Sequence, residues 1–108
     1  MSLEKGVVKE TKHHKLVTLL YIVSRKPRTT NQILQAIQKI ECPQMEKATA
    51  IKYLRHLEKA GLLEVRNGKN KMYHITEKGR DCLERFVELC KFTVEYKEIL
   101  ESWRAIDR

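Results

Sequence analysis

A cluster of basic side chains falls at helical spacing in the middle of the chain. Lys52 and His56 lie four residues apart, and Arg55 and Lys59 repeat that step three residues later. On a helix of about 3.6 residues per turn, these four side chains share one arc of the surface. Such groups can donate hydrogen bonds to phosphate oxygens or to guanine edges. The spacing therefore favours recognition of a polyanion; the alternative is a cationic face that contacts only solvent.

A second basic segment surrounds an Asn-Gly pair. Asn67 and Gly68 stand between two short β-prone runs, 62–65 and 72–75. This arrangement predicts a β-hairpin, because both residues tolerate positive φ. Basic side chains at a hairpin tip can lie along a phosphate backbone or enter a minor groove, or they can simply keep the turn soluble. The residues expected at this tip are Arg66, Asn67, Gly68, Lys69, Asn70 and Lys71.

Patterns typical of catalysis and metal binding are weak. The sequence has no Gly-rich phosphate loop, no Gly-x-Ser-x-Gly elbow and no His-Glu-x-x-His motif, so we expect neither enzymatic activity nor a cofactor. Cys42, Cys82 and Cys90 lack Cys-x-x-Cys spacing, and we interpret them as small apolar residues. The alternative is a metal or redox sensor that adds His13 and His14 across a dimer. We predict no metal site, and no small-molecule ligand is evident.

Positive charge is concentrated in the first three quarters of the chain. The 108 residues carry 22 Lys and Arg against 14 Asp and Glu, a formal net charge of +8. The first 75 residues hold 15 basic and six acidic side chains, whereas the last 33 hold seven and eight. A length near 100 residues with 42% hydrophobic residues is typical of one small domain. We therefore expect a polyanionic partner for the first part and a different role for the last part.

The composition also indicates a compartment. No apolar run reaches the roughly 18 residues of a membrane span, and residues 1–10 lack the apolar block of a signal peptide. Three cysteines, an odd number, do not make a disulfide framework. We therefore expect no membrane partner and a cytoplasmic, nucleoid-associated location.

Apolar periodicity, with Gly and Pro as boundaries, predicts four helices and one hairpin. The first helix covers residues 12–25, and a second of about ten residues follows it. The third covers 44–60 and ends at Gly61, a residue that tolerates the left-handed conformation after a helix. Thr76 caps a last helix that is predicted to continue without interruption to about residue 104.

The start of the second helix offers further phosphate contacts. Thr29 and Gln32 form a Thr-x-x-Gln capping box, in which each side chain satisfies the other residue's amide. A helix N-terminus carries partial positive charge and free amides, which favour a phosphate. The residues expected to take part are Arg28, Thr29, Thr30 and Asn31.

The last helix carries a regular apolar pattern from Gly79 to Trp103, in steps of three and four residues. Such an a/d pattern is typical of a coiled coil. The part beyond Thr93 has no evident partner in so short a chain, and monomers rarely expose a large apolar patch. We therefore predict a homodimer; the alternative is a helix that folds back over the first helix, whose Leu16 and Leu19 also need cover. The predicted dimer-interface residues are Cys82, Phe86, Leu89, Thr93, Tyr96, Leu100 and Trp103.

The predicted order of elements is similar to a winged helix-turn-helix domain. Residues 53–63, Tyr-Leu-Arg-His-Leu-Glu-Lys-Ala-Gly-Leu-Leu, resemble the end of the recognition helix and the entry to the wing. Residues 73–79, Tyr-His-Ile-Thr-Glu-Lys-Gly, resemble the second wing strand and the helix after it. Both stretches are similar to MarR-like and PadR-like bacterial regulators. With the long last helix, the closest resemblance is to small archaeal winged-helix proteins that dimerise through an antiparallel coiled coil; the turn at 40–44 is longer than usual.

This resemblance implies a mainly α fold with a small β-hairpin, a winged helix-turn-helix plus a long C-terminal dimerisation helix. The expected division is a basic arm at 1–11, a winged-helix domain at 12–78 and a coiled-coil dimerisation helix at 79–108. It implies a dimeric transcription regulator that reads double-stranded DNA; the alternatives are an architectural DNA binder of low specificity and a protein-interaction module. The third-helix residues implied to contact DNA are Lys47, Ala48, Thr49, Lys52, Tyr53, Arg55, His56 and Lys59.

Overall fold

The computed structural model describes residues 12–40 and 44–107, without the side chains of residues 94–96. Within these residues the chain forms five helices and three short strands. The predicted basic arm at 1–11 lies outside the described residues. In chain order the elements are α1 (Lys12–Arg25), β1 (Arg28–Thr29), α2 (Thr30–Ile37), α3 (Lys47–Lys59), β2 (Leu63–Arg66), β3 (Met72–Ile75), α4 (Glu77–Cys90) and α5 (Val94–Trp103).

The second helix begins at the predicted capping box. The Gln32 amide donates to Thr29 Oγ1 at 3.2 Å, and the Thr29 amide donates to Gln32 Oε1 at 3.0 Å. These two bonds satisfy donors that a helix start otherwise leaves free. Helix α2 then buries Ile33, Ala36 and Ile37. The box prediction is confirmed, and the helix is two residues shorter than the expected length of about ten.

The third helix ends where its glycine predicts. Gly61 has φ +82°, and the Leu62 amide donates to the carbonyl of Leu57 at 2.9 Å, so the chain turns out of the helix in a left-handed conformation. Helix α3 begins at Lys47, three residues later than predicted. Glycine is required again at Gly79, where a Cβ atom would stand 2.2 Å from the Leu62 carbonyl oxygen.

The predicted hairpin is confirmed, and a third strand pairs with it. Strands β2 and β3 pair antiparallel with Leu63 opposite Ile75 and Arg66 opposite Met72. The two-residue strand β1 pairs with the other edge of β3, so the sheet order is β1-β3-β2. This pairing ties the start of α2 to the end of β3 that lies next to the turn, and this arrangement was not predicted from the sequence.

Helix α1 lies at the centre of the core. Its Leu19, Leu20 and Ile22 are almost fully buried. Side chains from α2, α3 and the sheet join them in one hydrophobic cluster, so these elements form one domain. The buried members contributed by those elements are Ile33, Ala36, Ile37, Ala50, Leu54, Leu57, Leu63 and Tyr73.

The prediction of one unbroken helix from residue 77 to residue 104 is wrong. Helix α4 ends at Cys90, and α5 begins at Val94 and packs against α1. Trp103 is 2% exposed and stacks on Tyr21 with ring centroids 4.5 Å apart. Fully burying such a side chain contributes about 2–3 kcal/mol, which outweighs the few helical hydrogen bonds lost at the break. The chain therefore covers α1 with its own α5, as the alternative at the sequence level proposed.

Most of the residues predicted for the dimer interface consequently pack within their own chain. Cys82, Phe86 and Leu100 are partly buried against the core, and Trp103 is enclosed within the same chain. Thr93 is the N-cap residue of α5, and its side chain makes no capping hydrogen bond. Of the predicted set, Leu89 stays open to solvent, at 48% exposure. The Tyr96 side chain lies outside the described part of the chain.

Candidate nucleic-acid interface

Helix α3 presents one apolar and one cationic face. Ala50, Leu54 and Leu57 are buried against the core. This inward stripe forces the remaining positions to the surface, because its members recur at steps of three and four residues. Lys47, Ala48, Lys52, Arg55 and Lys59 are exposed, whereas Thr49, Tyr53 and His56 are half-buried. We call these eight residues the recognition face.

Two members of the recognition face also have structural contacts. Tyr53 packs against the hydrophobic core, and its ring lies 5.9 Å from the His56 imidazole, centroid to centroid. Tyr53 therefore stabilises the helix on the domain while it stays partly exposed. Ile51 is 36% exposed beside them. It was not among the residues predicted to contact DNA, because the prediction rested on charged, polar and small side chains.

The long cations of the recognition face are not neutralised. Among the described residues, no carboxylate lies within ion-pair distance of Lys47, Lys52, Arg55 or Lys59. Some cations elsewhere in the described residues do have a carboxylate partner, for example Arg85 with Asp81 at 2.9 Å. Exposed, unpaired cations repel one another and attract a polyanion, and the attraction decreases as salt screens it.

We call residues 66–71 the wing. Arg66 donates to the Glu64 carboxylate at 3.1 Å, and the Lys71 ammonium lies 5.7 Å from the centre of the Tyr73 ring. Both cations are thus partly engaged within the hairpin. Lys69 is exposed at the tip, with no ion pair among the described residues. These side chains lie at the end of the hairpin as predicted, whereas the Glu64 partner of Arg66 was not evident from the spacing.

The wing and the start of α2, predicted separately, meet in one cleft. Thr29, Thr30 and Asn31 line one side, and Asn70 and Lys71 line the other, around an open volume of about 380 Å³. The β1–β3 pairing brings them together, since Thr29 lies opposite Met72. The cleft thus combines the positive end of a helix dipole with a lysine ammonium and amide side chains. These are groups that bind a phosphate.

Arg28 lies apart from this cleft. Its Nε donates to the Ile22 carbonyl at 3.0 Å, and its side chain lines a second groove together with Lys26, Lys39 and Gln35. These three neighbours were not predicted. For Lys26 the signal in the sequence was the run Arg25-Lys26-Pro27-Arg28, three cations in four residues just before α2; Gln35 and Lys39 had no such signal.

The shifted pKa values of Tyr21 and Cys90 belong to groups that lie away from the recognition face. Burial and a hydrogen bond to Asp107 raise the pKa of the Tyr21 phenol to about 12. Burial raises the pKa of the Cys90 thiol, which favours the protonated form over the thiolate that binds metals. No group of three or more metal-ligating side chains occurs in the described part of the chain. Cys42 lies outside it.

Three helices followed by an antiparallel hairpin, with a short strand paired on its free edge, define a winged helix-turn-helix domain. Helix α3 occupies the recognition position of that fold, and the hairpin is its wing. In residues 12–40 and 44–107, no helix is both long and apolar enough to cross a bilayer.

The family described as "Transcriptional regulator PadR-like family" matches residues 19–85, more than half of the chain. The chain therefore belongs to the PadR-like family of transcriptional regulators, whose members are regulators and not enzymes. The curated proteins gave no match.

Two solved structures share the fold. A PadR family transcription regulator from hypervirulent Clostridium difficile has 17% sequence identity and a TM-score of 0.67, over 73% of this chain and 88% of its own. The protein smu.1704 from Streptococcus mutans has 25% identity and a TM-score of 0.61, over 90% of this chain and 93% of its own. Both come from bacteria, and the resemblance to archaeal proteins stays a prediction.

Proposed function

We propose that this protein is a dimeric regulator that reads double-stranded DNA by placing α3 in the major groove. The observation that carries the proposal is the recognition face: four unpaired cations stand on the exposed side of the helix that occupies the recognition position. A folded domain gains nothing internally from such a cluster. Bound DNA supplies the missing negative charge and releases counterions.

The roles within the recognition face follow from side-chain length and position. Lys52 and His56 lie one turn apart at the centre of α3, and we assign them to base edges, with Thr49 near the start of the helix. Arg55 and Lys59 lie toward the side and the end of the helix, where phosphates are closer. The small side chain of Ala48 allows α3 to approach the groove closely, and Lys47 at the first position reaches a phosphate.

The wing, and the cleft between the wing and the start of α2 (the α2 cleft), supply contacts to the DNA backbone. Lys69 projects from the tip, and the segment 29–31 faces Lys71 across the cleft. Phosphate contacts of this kind fix the register of α3 on the duplex and carry no sequence information directly. Arg66 contributes less, because Glu64 already holds its guanidinium.

Dimerisation belongs to the same proposal. Residues 12–78 bind DNA, and residues 79–108 join two copies, so that two recognition helices address half-sites at least one helical turn apart. Leu89 and Phe92, at the end of α4, are 48% and 80% exposed. Large exposed apolar side chains close together favour an interface. We assign the protein to the cytoplasm, in association with the nucleoid.

Selection of bound duplexes from a random DNA pool tests this function. A regulator prefers its site over random DNA by about 10³ or more at fixed salt. A consensus with two related halves supports a dimeric reader. Enrichment without a consensus, together with a steep salt dependence, would favour an architectural DNA binder instead. No binding even at low salt would contradict DNA recognition and favour a protein-interaction module with an acidic partner.

A further inference from the structure

A groove lined by cations lies at the end of α1. Its two lobes have open volumes of about 200 Å³ and about 330 Å³. Lys26, Arg28 and Lys39 line both lobes, so three basic side chains converge where the lobes join. The walls come from the link between α1 and β1, from the exposed side of α2 and from the residues after α5. We call the space around these three cations the Arg28 groove.

The fold holds Arg28 in position within this groove. Its Nε donates to the carbonyl of Ile22 at 3.0 Å, and this carbonyl is in the last turn of α1, where carbonyls have no partner within the helix. Arg28 is half-buried and belongs to strand β1, so its backbone is also fixed by the pairing with Tyr73. The four other N–H donors of the guanidinium can form paired hydrogen bonds to an oxyanion. The groove therefore contains a preorganised anion-binding group.

The positive charge of the groove is not balanced by nearby carboxylates. Among the described residues, no carboxylate lies within ion-pair distance of Lys26 or Arg28. Asp107 lines the larger lobe, but its carboxylate already accepts hydrogen bonds from Arg25 and from Tyr21. The charge of Asp107 is thus compensated within the fold, and the junction of the lobes stays positive. Cations held close together repel one another, and a bound anion relieves that repulsion.

The groove and the α2 cleft lie on opposite sides of β1. Arg28 and Thr29 are neighbours in this strand, and successive side chains of a strand point to opposite sides. Thr29 lines the α2 cleft together with wing residues, whereas Arg28 lines the groove, and the two cavities share no residue. The residues that line the groove include none of the recognition face and none of the wing. A duplex held by α3 and the wing therefore leaves the groove to a different ligand.

The charge and the size of the groove fit a small phosphate monoester. Such a group carries a charge of about −1.5 to −2 at pH 7 and has three strong acceptor oxygens, whereas each phosphate of a DNA backbone carries one charge. Three converging cations match the more highly charged group. Gln32 and Gln35 line the smaller lobe, and their amides can donate to and accept from hydroxyl groups. The two volumes lie at or below the lower end of those of small-molecule sites, so the ligand is small and polar.

We propose that the Arg28 groove binds a sugar phosphate. The phosphate lies among Lys26, Arg28 and Lys39, and the guanidinium of Arg28 is its bidentate partner. The sugar hydroxyls occupy the smaller lobe, against Gln32 and Gln35. Arg28, which the sequence predicts to contact a DNA phosphate, thus binds the phosphate of a different ligand. This site is separate from the DNA surface of the proposed function and does not depend on it.

Calorimetric titration of the full chain without DNA tests the site. Ribose 5-phosphate is expected to bind one site per chain with a dissociation constant below about 1 mM. Dimethyl phosphate, a diester with one charge, should bind at least about tenfold more weakly. Lys26→Gln combined with Lys39→Gln should weaken binding of ribose 5-phosphate at least about tenfold, because two charged donors are lost. The matched control, Lys12→Gln combined with Lys97→Gln, removes two exposed charges elsewhere and should leave the affinity within about twofold of wild type.

The sugar contact has its own variant. Gln35 is exposed at the smaller lobe, so Gln35→Ala should leave the fold intact. It should weaken ribose 5-phosphate by about threefold and leave the affinity for inorganic phosphate unchanged, because one neutral hydrogen bond to a hydroxyl is lost. Equal effects on the two ligands, or none on either, would contradict the assignment of the sugar to this lobe.

A spectroscopic measurement locates the ligand in the wild-type protein and does not depend on how a variant folds. In nuclear magnetic resonance spectra, ribose 5-phosphate should shift the Nε–H signal of Arg28 and leave that of Arg66 in place. An unshifted Arg28 signal, or no binding at millimolar concentration, would overturn the site. Equal affinity for dimethyl phosphate would overturn the monoester, and equal losses in the two double variants would indicate attraction by net charge alone. The assays contain no DNA, so a failure of DNA binding is detected separately, in the selection experiment.

Discussion

The recognition face and the C-terminal pair of helices use charged and polar groups in opposite ways. On α3, cations stand exposed without carboxylate partners among the described residues. At the α5 contact, Arg25 meets Asp107, the Trp103 indole meets Thr18, and Tyr21 donates to Asp107. The polar groups at the contact of α5 with α1 are satisfied within the fold, whereas the cations of the recognition face are left available to an external ligand. This difference supports the proposal that α3 is a binding surface, whereas α5 packs within the fold.

The largest effect is expected at Trp103. If α5 is part of the folded core, Trp103→Ala lowers the free energy of unfolding by about 3–5 kcal/mol, because it removes a large buried side chain. Trp103→Phe keeps a ring on Tyr21 and loses the indole donor to Thr18, so we expect a smaller loss of about 1–2 kcal/mol. Urea denaturation followed by circular dichroism measures both. Wild-type stability of Trp103→Ala would show that α5 is not part of the core.

A variant at Lys52 tests the role of the recognition face. Lys52→Ala is expected to cost about 1–3 kcal/mol in binding to the selected duplex and to relax preference at one base position. Its stability should stay within about 0.5 kcal/mol of wild type, because the side chain is exposed. Fluorescence anisotropy with the selected duplex and single-base variants measures the change. The matched control is Lys97→Ala, on the exposed side of α5, which should leave both DNA affinity and stability unchanged. Equal losses of DNA affinity for the two variants would contradict the assignment of DNA binding to the recognition face.

Variants of two wing cations can be compared: Arg66 forms an ion pair with Glu64, whereas Lys69 has no ion pair among the described residues. Lys69→Ala should weaken binding to all duplexes alike and reduce the slope of log K against log salt by about one. Arg66→Ala should have a smaller effect, because Glu64 already neutralises that guanidinium. Binding titrations at several salt concentrations give both slopes. A larger slope change for Arg66 than for Lys69 would show that the Glu64 pair opens on DNA.

The smallest expected effect is a pH dependence of stability that arises at Tyr21, where α1 contacts the segment around α5. The folded protein holds the pKa of Tyr21 at about 12, above its ordinary value of 10.0, mainly through burial. A raised pKa means that the folded state keeps the phenol proton more tightly, so this contribution to stability is complete below pH 10 and is lost between pH 10 and 12. Tyr21→Phe should flatten this part of the alkaline stability curve. Parallel curves for the two proteins would contradict the assigned cause.

The sequence was sufficient where one local rule decided the structure. The inward positions Ala50, Leu54 and Leu57, the capping box at Thr29 and the Asn-Gly hairpin are all present in the structure. Each depends on residues close together in the chain. The exposed arc of α3 follows from the same periodicity, since the buried stripe fixes which side chains face outward.

The features that the sequence did not predict depend on contacts between separate elements of the fold. An a/d pattern is satisfied equally by a partner helix and by the chain's own α1, so the pattern alone did not reveal the break after Cys90. Strand β1 has two residues, too few for an alternating pattern, and it exists because β3 offers a free edge. The α2 cleft depends on that pairing. The carboxylate on Arg66 likewise became visible only when the hairpin brought Glu64 beside it.

The most direct test of the central claim compares two affinities. The dissociation constant of the wild-type protein is measured for its selected duplex and for a scrambled duplex of the same length, in about 150 mM salt, where surface electrostatics are moderately screened. We predict a ratio of about 10³ or more that falls toward one for the variant in which Lys52 and His56 are both replaced by alanine. A ratio near one for the wild type would contradict sequence reading by α3.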